Sequence, residues 1–158
     1  MIFDIPKDYY SNLSCYEEFV IKINLLGYDV SDKEVLDSLN KVENYYWFVV
    51  NGHLCFLDNK GNKAENVVIK GDFDCSHNQL TSLEGCPEKI GGSFYCFENQ
   101  LTSLEGCPRK IDGTFDCSEN QLISLEGCPK EVGGDFNCYE NSKELLKPNN
   151  LKCKNFYN

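Results

Sequence analysis

A chain of 158 residues, 41% hydrophobic and 13% aromatic, holds enough apolar material for one domain, or for a compact head joined to a short repeat array. Its formal net charge of −10 is unevenly placed: residues 67–146 carry six Lys/Arg against fourteen Asp/Glu, whereas 147–158 carry three Lys and no acid. This balance argues against direct nucleic-acid contact, which needs a basic surface, and for a partner protein that is itself basic.

No apolar run approaches the roughly 18 residues of a membrane span, and the opening MIFDIPKDYY lacks the basic-then-apolar form of a secretory signal. A cytoplasmic location is expected, the host cytoplasm if a virus encodes the chain. Ten cysteines in that setting are expected to be reduced and buried.

In chain order, Ser14-Cys15-Tyr16-Glu17 has the form of a capping box, and Gly27 follows the apolar run, so a helix from about Cys15 to Leu26 is expected. Ser31-Asp32-Lys33-Glu34 repeats the signature and predicts a second helix reaching about Val42. Asn51-Gly52 then separates the runs 45–50 and 53–57, both rich in aromatic and branched residues, the pattern of a two-residue β-hairpin.

From Ile69 onward a 21-residue unit recurs, starting again at Ile90, Ile111 and Val132, with the shared form I-x-G-x-F-x-C-x-x-N-Q-L-x-S-L-E-G-C-P. Phe73, Phe94, Phe115 and Phe136 stand two residues before Cys75, Cys96, Cys117 and Cys138, a spacing that turns both side chains to one face of a strand. Asn78, Asn99, Asn120 and Asn141 are placed to bond the backbone of a sharp turn, the following leucines point inward, and Gly-Cys-Pro turns the chain back.

On these residues, F-x-C-x-x-N-Q-L-x-S-L and the Pro-containing turn, the chain resembles leucine-rich-repeat proteins, specifically the short-repeat form of bacterial and bacteriophage proteins. Phe and Cys stand where that family has two leucines. The expected class is therefore α+β: a short leucine-rich-repeat-like parallel β solenoid of about four rungs, capped by a two-helix plus hairpin head. Residues 1–66 form the N-terminal cap, 67–146 the solenoid and 147–158 a C-terminal cap, in which Leu151-Lys152-Cys153 imitates the inward F-x-C pair.

Candidate chemistry is sparse. No C-x2-4-C pair suggests zinc, and the alternating cysteine spacings of 11 and 10 follow from the repeat, so no metal and no cofactor are expected. His53 and Cys55 share a strand face, but nothing supplies an orienting acid or an oxyanion site, and no phosphate-cradling loop occurs; the chain reads as non-enzymatic.

The repeat offers an internal contrast instead. Scaffold columns hold constant while the outward positions between them vary: Asp74, Tyr95, Asp116, Asn137 in one column, and Ser76, Phe97, Ser118, Tyr139 in the next. Tyr95, Phe97 and Tyr139, with Asp74, Glu98, Asp116, Glu119 and Asn137 around them, have the composition of a protein-binding face. A second reading treats the regular carboxylates as an imitation of a phosphate row. By analogy with phage proteins, that reading makes the chain an inhibitor of a host defence or nucleic-acid-binding enzyme.

Overall fold

A computed structural model describes residues 2, 3, 15–25, 27 and 29–158, which divide into two compact units, Met1–Glu65 and Asn66–Asn158. In the first unit, strand β1 (Ile2–Phe3) is followed by helix α1 (Cys15–Leu25), helix α2 (Lys33–Asp37) and strands β2 (Asn40–Val42), β3 (Tyr45–Val50) and β4 (His53–Leu57). Asn51 and Gly52 both take positive φ, 50° and 80°, as the primed turn of a two-residue hairpin requires, and Val50 pairs with His53. The amphipathic spacing of α1 buries Phe19 and Ile23, one turn apart, with the Phe19 ring stacked on Phe48 at 4.1 Å. Cys55 is part of this same core.

Two expectations change here. Helix α1 begins where expected, although its expected cap Ser14 lies outside the described residues. Helix α2 stops at Asp37 rather than Val42, because residues 40–42 pair antiparallel with β3: Asn40 with Trp47, Lys41 with Tyr46 and Val42 with Tyr45. Its N-cap is Asp32, whose carboxylate instead accepts a bond from the backbone of Asp29, and Ser31 bonds Asp29 as well. A five-residue helix has too little internal bonding to outcompete a sheet edge beside it.

The second unit is a parallel β solenoid of four rungs at 21-residue spacing, joined by a fifth, shorter rung. Each full rung contributes one strand to each of two sheets. The first sheet holds β5 (Val68–Ile69), β7 (Lys89–Ile90), β9 (Lys110–Ile111) and β11 (Glu131–Val132). The second holds β6 (Phe73–Asp74), β8 (Phe94–Tyr95), β10 (Phe115–Asp116), β12 (Phe136–Asn137) and β13 (Phe156–Tyr157). Pairing is in register throughout, Phe73 on Phe94 on Phe115 on Phe136 on Phe156.

Phe and Cys of F-x-C are buried in every full rung, as is the leading Ile or Val; the paired leucines are buried in the first three, whereas the fourth has Lys143 and exposed Leu146 at those positions. Neighbouring phenylalanine rings lie 5.1–5.7 Å apart, a continuous aromatic spine. Burial pushes the inner thiols up from their ordinary pKa, Cys138 to about 12, so they pack as neutral small hydrophobes. The nine cysteines from Cys55 to Cys153 are all free.

Asparagine closes the turns. The Asn99 amide oxygen accepts from the backbone of Asn78 and Leu80 on the preceding rung, and its nitrogen donates to the carbonyls of Cys75, Cys96 and Phe97. Asn120 and Asn141 repeat this one and two rungs on. Rungs approach most closely at the corner between the sheets: a Cβ on Gly113 would stand 2.6 Å from the Ser93 nitrogen and 2.7 Å from the Gly92 carbonyl carbon.

The C-terminal register also differs from expectation. Leu151-Lys152-Cys153 does not imitate F-x-C; Lys152 bridges Glu131 in the first sheet, which puts Cys153 in the Ile column. The residue that continues the phenylalanine column is Phe156, 20 rather than 21 residues after Phe136. One residue is lost at the corner, where Lys154-Asn155 replaces the three-residue Gly133-Gly134-Asp135, and that deletion hides the phase.

Candidate functional site

The eight residues singled out from the sequence share one side of the second sheet and its following turn. Strand pairing aligns Asp74, Tyr95, Asp116, Asn137 and, one rung further, Tyr157 in a single outward column. Two residues along the chain runs the column Ser76, Phe97, Ser118, Tyr139. Beyond it comes His77, Glu98, Glu119, Glu140, the first three linked by backbone bonds to the carbonyls of Phe97, Ser118 and Tyr139 on the next rung.

The first two columns alternate in character. In the first and third rungs a carboxylate folds onto a serine: Asp74 accepts from the Ser76 nitrogen and hydroxyl, and Asp116 from those of Ser118, the hydroxyl bonds being 2.6 and 2.5 Å. Asp116 also accepts from the Asn137 amide at 3.1 Å. The rungs between carry Tyr95 with Phe97, and Asn137 with Tyr139.

This packing changes how far the aromatics stand out. Tyr139 is exposed at 39% and Tyr157 at 49%, but Tyr95 and Phe97 are half-buried rather than fully exposed, and Ser118 is 1% exposed. With rungs roughly 4.8 Å apart, a small side chain between two large ones is screened by both, and each ring loses area to its neighbours. The result is a low, partly apolar strip rather than three free rings.

Beside the strip runs a carboxylate ladder with an unusual backbone. His77, Glu98, Glu119 and Glu140 all have positive φ, 56°, 48°, 51° and 51°. For residues with a Cβ this left-handed conformation costs about 1 kcal/mol or more each, and glycine would hold it with less strain. His77 ends the ladder, its Nδ1 lying 3.0 Å from Glu98 and its ring meeting Phe97 edge-on at 5.2 Å.

Glu119, in the middle, has its pKa raised by desolvation first and then by the charges of Glu98 and Glu140, with His77 opposing. A carboxyl that is protonated more readily when folded weakens the fold at pH above its folded pKa. That penalty fades as pH falls through the carboxylate range. Glu119→Gln is therefore expected to raise the melting temperature near pH 7 in low salt, with the gain shrinking toward about pH 4; paired thermal melts at the two pH values check it.

Sequence reasoning missed Tyr157 and the left-handed ladder. Phe156-Tyr157 repeats Phe94-Tyr95, a signal that a fixed 21-residue phase conceals. The Glu84, Glu105, Glu126 column is exposed, each backbone nitrogen bonded to a serine hydroxyl two residues earlier. Lys110 pairs with Glu131 and Asp112 at 3.2 and 3.4 Å.

Two shallow hollows of 580 and 490 Å³ lie along the Gly-Cys-Pro turns, sharing Gly106, Cys107 and Arg109, and none of the eight residues lines them. Among the described residues no cluster of three or more His, Cys, Asp or Glu is arranged to hold a metal, and no helix is long and apolar enough to cross a membrane. No protein-family model, curated protein or solved structure matches the chain.

Proposed function

We propose that the solenoid is a non-enzymatic protein-interaction module of the leucine-rich-repeat-like, short-repeat kind found in bacteria and bacteriophages, working in the cytoplasm. Its acidic and aromatic sheet face binds a partner protein with a basic surface. One observation carries this reading: on a scaffold whose inward columns scarcely vary, the outward columns gather Tyr95, Phe97 and Tyr139 beside an unbroken Glu98, Glu119, Glu140 ladder held in strained backbone. Half-buried rings lose little freedom on binding and supply contact area, while the carboxylates select cations and speed encounter. Strain kept at the same position in three successive acidic residues fits a surface under a functional constraint.

The experiment is capture of the partner from an extract of the native cell at about 150 mM salt, followed by affinity measurement with the purified pair. Tyr95→Ala/Phe97→Ala/Tyr139→Ala is expected to weaken binding by roughly a hundredfold or more, as the loss of anchor residues does. Unchanged affinity would refute the assignment of this face.

The carboxylate ladder also favours, as a second reading, an inhibitor that imitates nucleic acid toward a host defence or nucleic-acid-binding enzyme. Salt separates the two. A charge mimic loses affinity steeply as salt rises, whereas an aromatic-anchored contact loses little.

A further inference from the structure

The first sheet of the solenoid carries a charge opposite to that of the second. Its inward column is Ile69, Ile90, Ile111 and Val132, all buried, and its outward column is Val68, Lys89, Lys110, Glu131 and Lys152, all exposed. At the position before the strands, exposed Glu88 is followed one and two rungs on by exposed Arg109 and Lys130. A molecule with net charge −10 thus presents a cationic strip three residues along the chain from the corner that leads to its acidic face.

Resting on the reading of the acidic face as a binding surface, we infer that its partner is a second copy of this chain, docked through the cationic first sheet. Both ladders are columns of one coil, so their repeat along the axis is the same, roughly 4.8 Å. Charges in the two strips match over successive rungs without either backbone adjusting, which an unrelated basic surface does only by chance.

A one-rung offset sets Lys89 and Lys110 against Glu119 and Glu140, brings exposed Val68 to the rung of Phe97, and carries Glu131 past the end of the carboxylate ladder. The Lys110 stem laid over Tyr139 adds cation–π contact, and Val68 adds apolar contact with Tyr95 and Phe97. A phosphate polymer fits the cationic strip less well. Glu131 interrupts the column, and the chain as a whole repels polyanions.

The test is sedimentation of the full chain at about 20 mM and about 300 mM NaCl with two reciprocal charge reversals, Lys89→Glu/Lys110→Glu and Glu119→Lys/Glu140→Lys. All four positions are exposed, and circular dichroism melts verify folding of each variant. Wild type is expected to associate in low salt and dissociate in high salt. Each variant alone should associate at least about tenfold more weakly, and an equimolar mixture of the two should recover association.

A wild type that stays monomeric in low salt, or variants that associate as wild type does, would overturn the inference. So would a mixture that remains monomeric, or a monomeric wild type that instead binds a fluorescent single-stranded oligonucleotide. If self-association fails while Tyr95→Ala/Phe97→Ala/Tyr139→Ala still abolishes capture of another basic protein, the face stands and only its occupant is wrong. If that aromatic variant changes neither, the face itself falls.

Discussion

Asn120→Leu will destabilise the solenoid by about 3 kcal/mol or more, a large share of a small domain's total stability. Asn120 is 7% exposed and its side chain makes four backbone bonds across two rungs. Its oxygen accepts from Leu101, and its nitrogen donates to the carbonyls of Cys96, Cys117 and Ser118 at 3.0–3.2 Å. Leucine has similar volume but strands the buried Leu101 N–H, at about 1–3 kcal/mol, and forfeits the three amide donations at about 0.5–1.5 kcal/mol each, although the carbonyls of Cys96, Cys117 and Ser118 keep Asn99, Asn141 and the Glu98 nitrogen as partners.

Asn120→Asp should do nearly as badly, because a carboxylate can accept from Leu101 but cannot donate to three carbonyls. Equilibrium urea unfolding followed by circular dichroism measures both. A leucine variant within about 1 kcal/mol of wild type would mean that water satisfies the turn and that the ladder of amides is not what closes it.

Phe115→Ala will cost about 3–5 kcal/mol, the range for removing a fully buried aromatic. Phe115 occupies the middle of the spine, 5.5 Å from Phe94 and 5.1 Å from Phe136, and is 0% exposed. The backbone around it is tied to two rungs, Phe94 bonding the carbonyl of Thr114 and Phe115 that of Asp135, so the cavity cannot readily collapse. At the end of the spine Phe156 is only half-buried, and Phe156→Ala should cost clearly less. The same unfolding series compares them, and equal losses at the two sites would contradict a spine buried at its centre and open at its end.

Several elements could be read before any coordinates because one local rule dominated each. Asn51-Gly52 supplies positive φ at no steric cost, so the hairpin and its pairing followed from two residues. F-x-C at fixed spacing carried the inward face of the second sheet, since repetition over four rungs averages away accidents of any single segment.

Where two influences compete, the sequence alone misleads. Residues 40–42 have a helical cap signature upstream, yet they gain more by pairing with β3. At the C-terminus Cys153 stays in phase, 21 residues after Val132, but a single-residue deletion at the corner beyond it shifts Phe156 into the spine, where counting in units of 21 would put Tyr157.

The candidate face was legible in part. Alternation placed Tyr95, Phe97 and Tyr139 on one outward side, but how much of each ring stays exposed depends on its neighbours one rung away. Ser118, 1% exposed beside two aromatics, shows how strongly that cross-rung shielding acts. The positive φ of Glu98, Glu119 and Glu140 left no signature, because glutamate is not a residue chosen for that conformation. The cationic strip was concealed by composition: an overall acidic chain averages over Lys89, Lys110 and Lys152, which only the pairing of the first sheet brings into one column.

The most direct measurement is amide hydrogen exchange across the solenoid with and without bound partner, at about 150 mM salt. Protection gained at residues 95–98, 116–119 and 137–140, with none added along the Gly-Cys-Pro turns, is the predicted result. Protection confined to the turns, or spread over the head while those three segments exchange as before, would contradict a solenoid that binds through its aromatic and acidic columns.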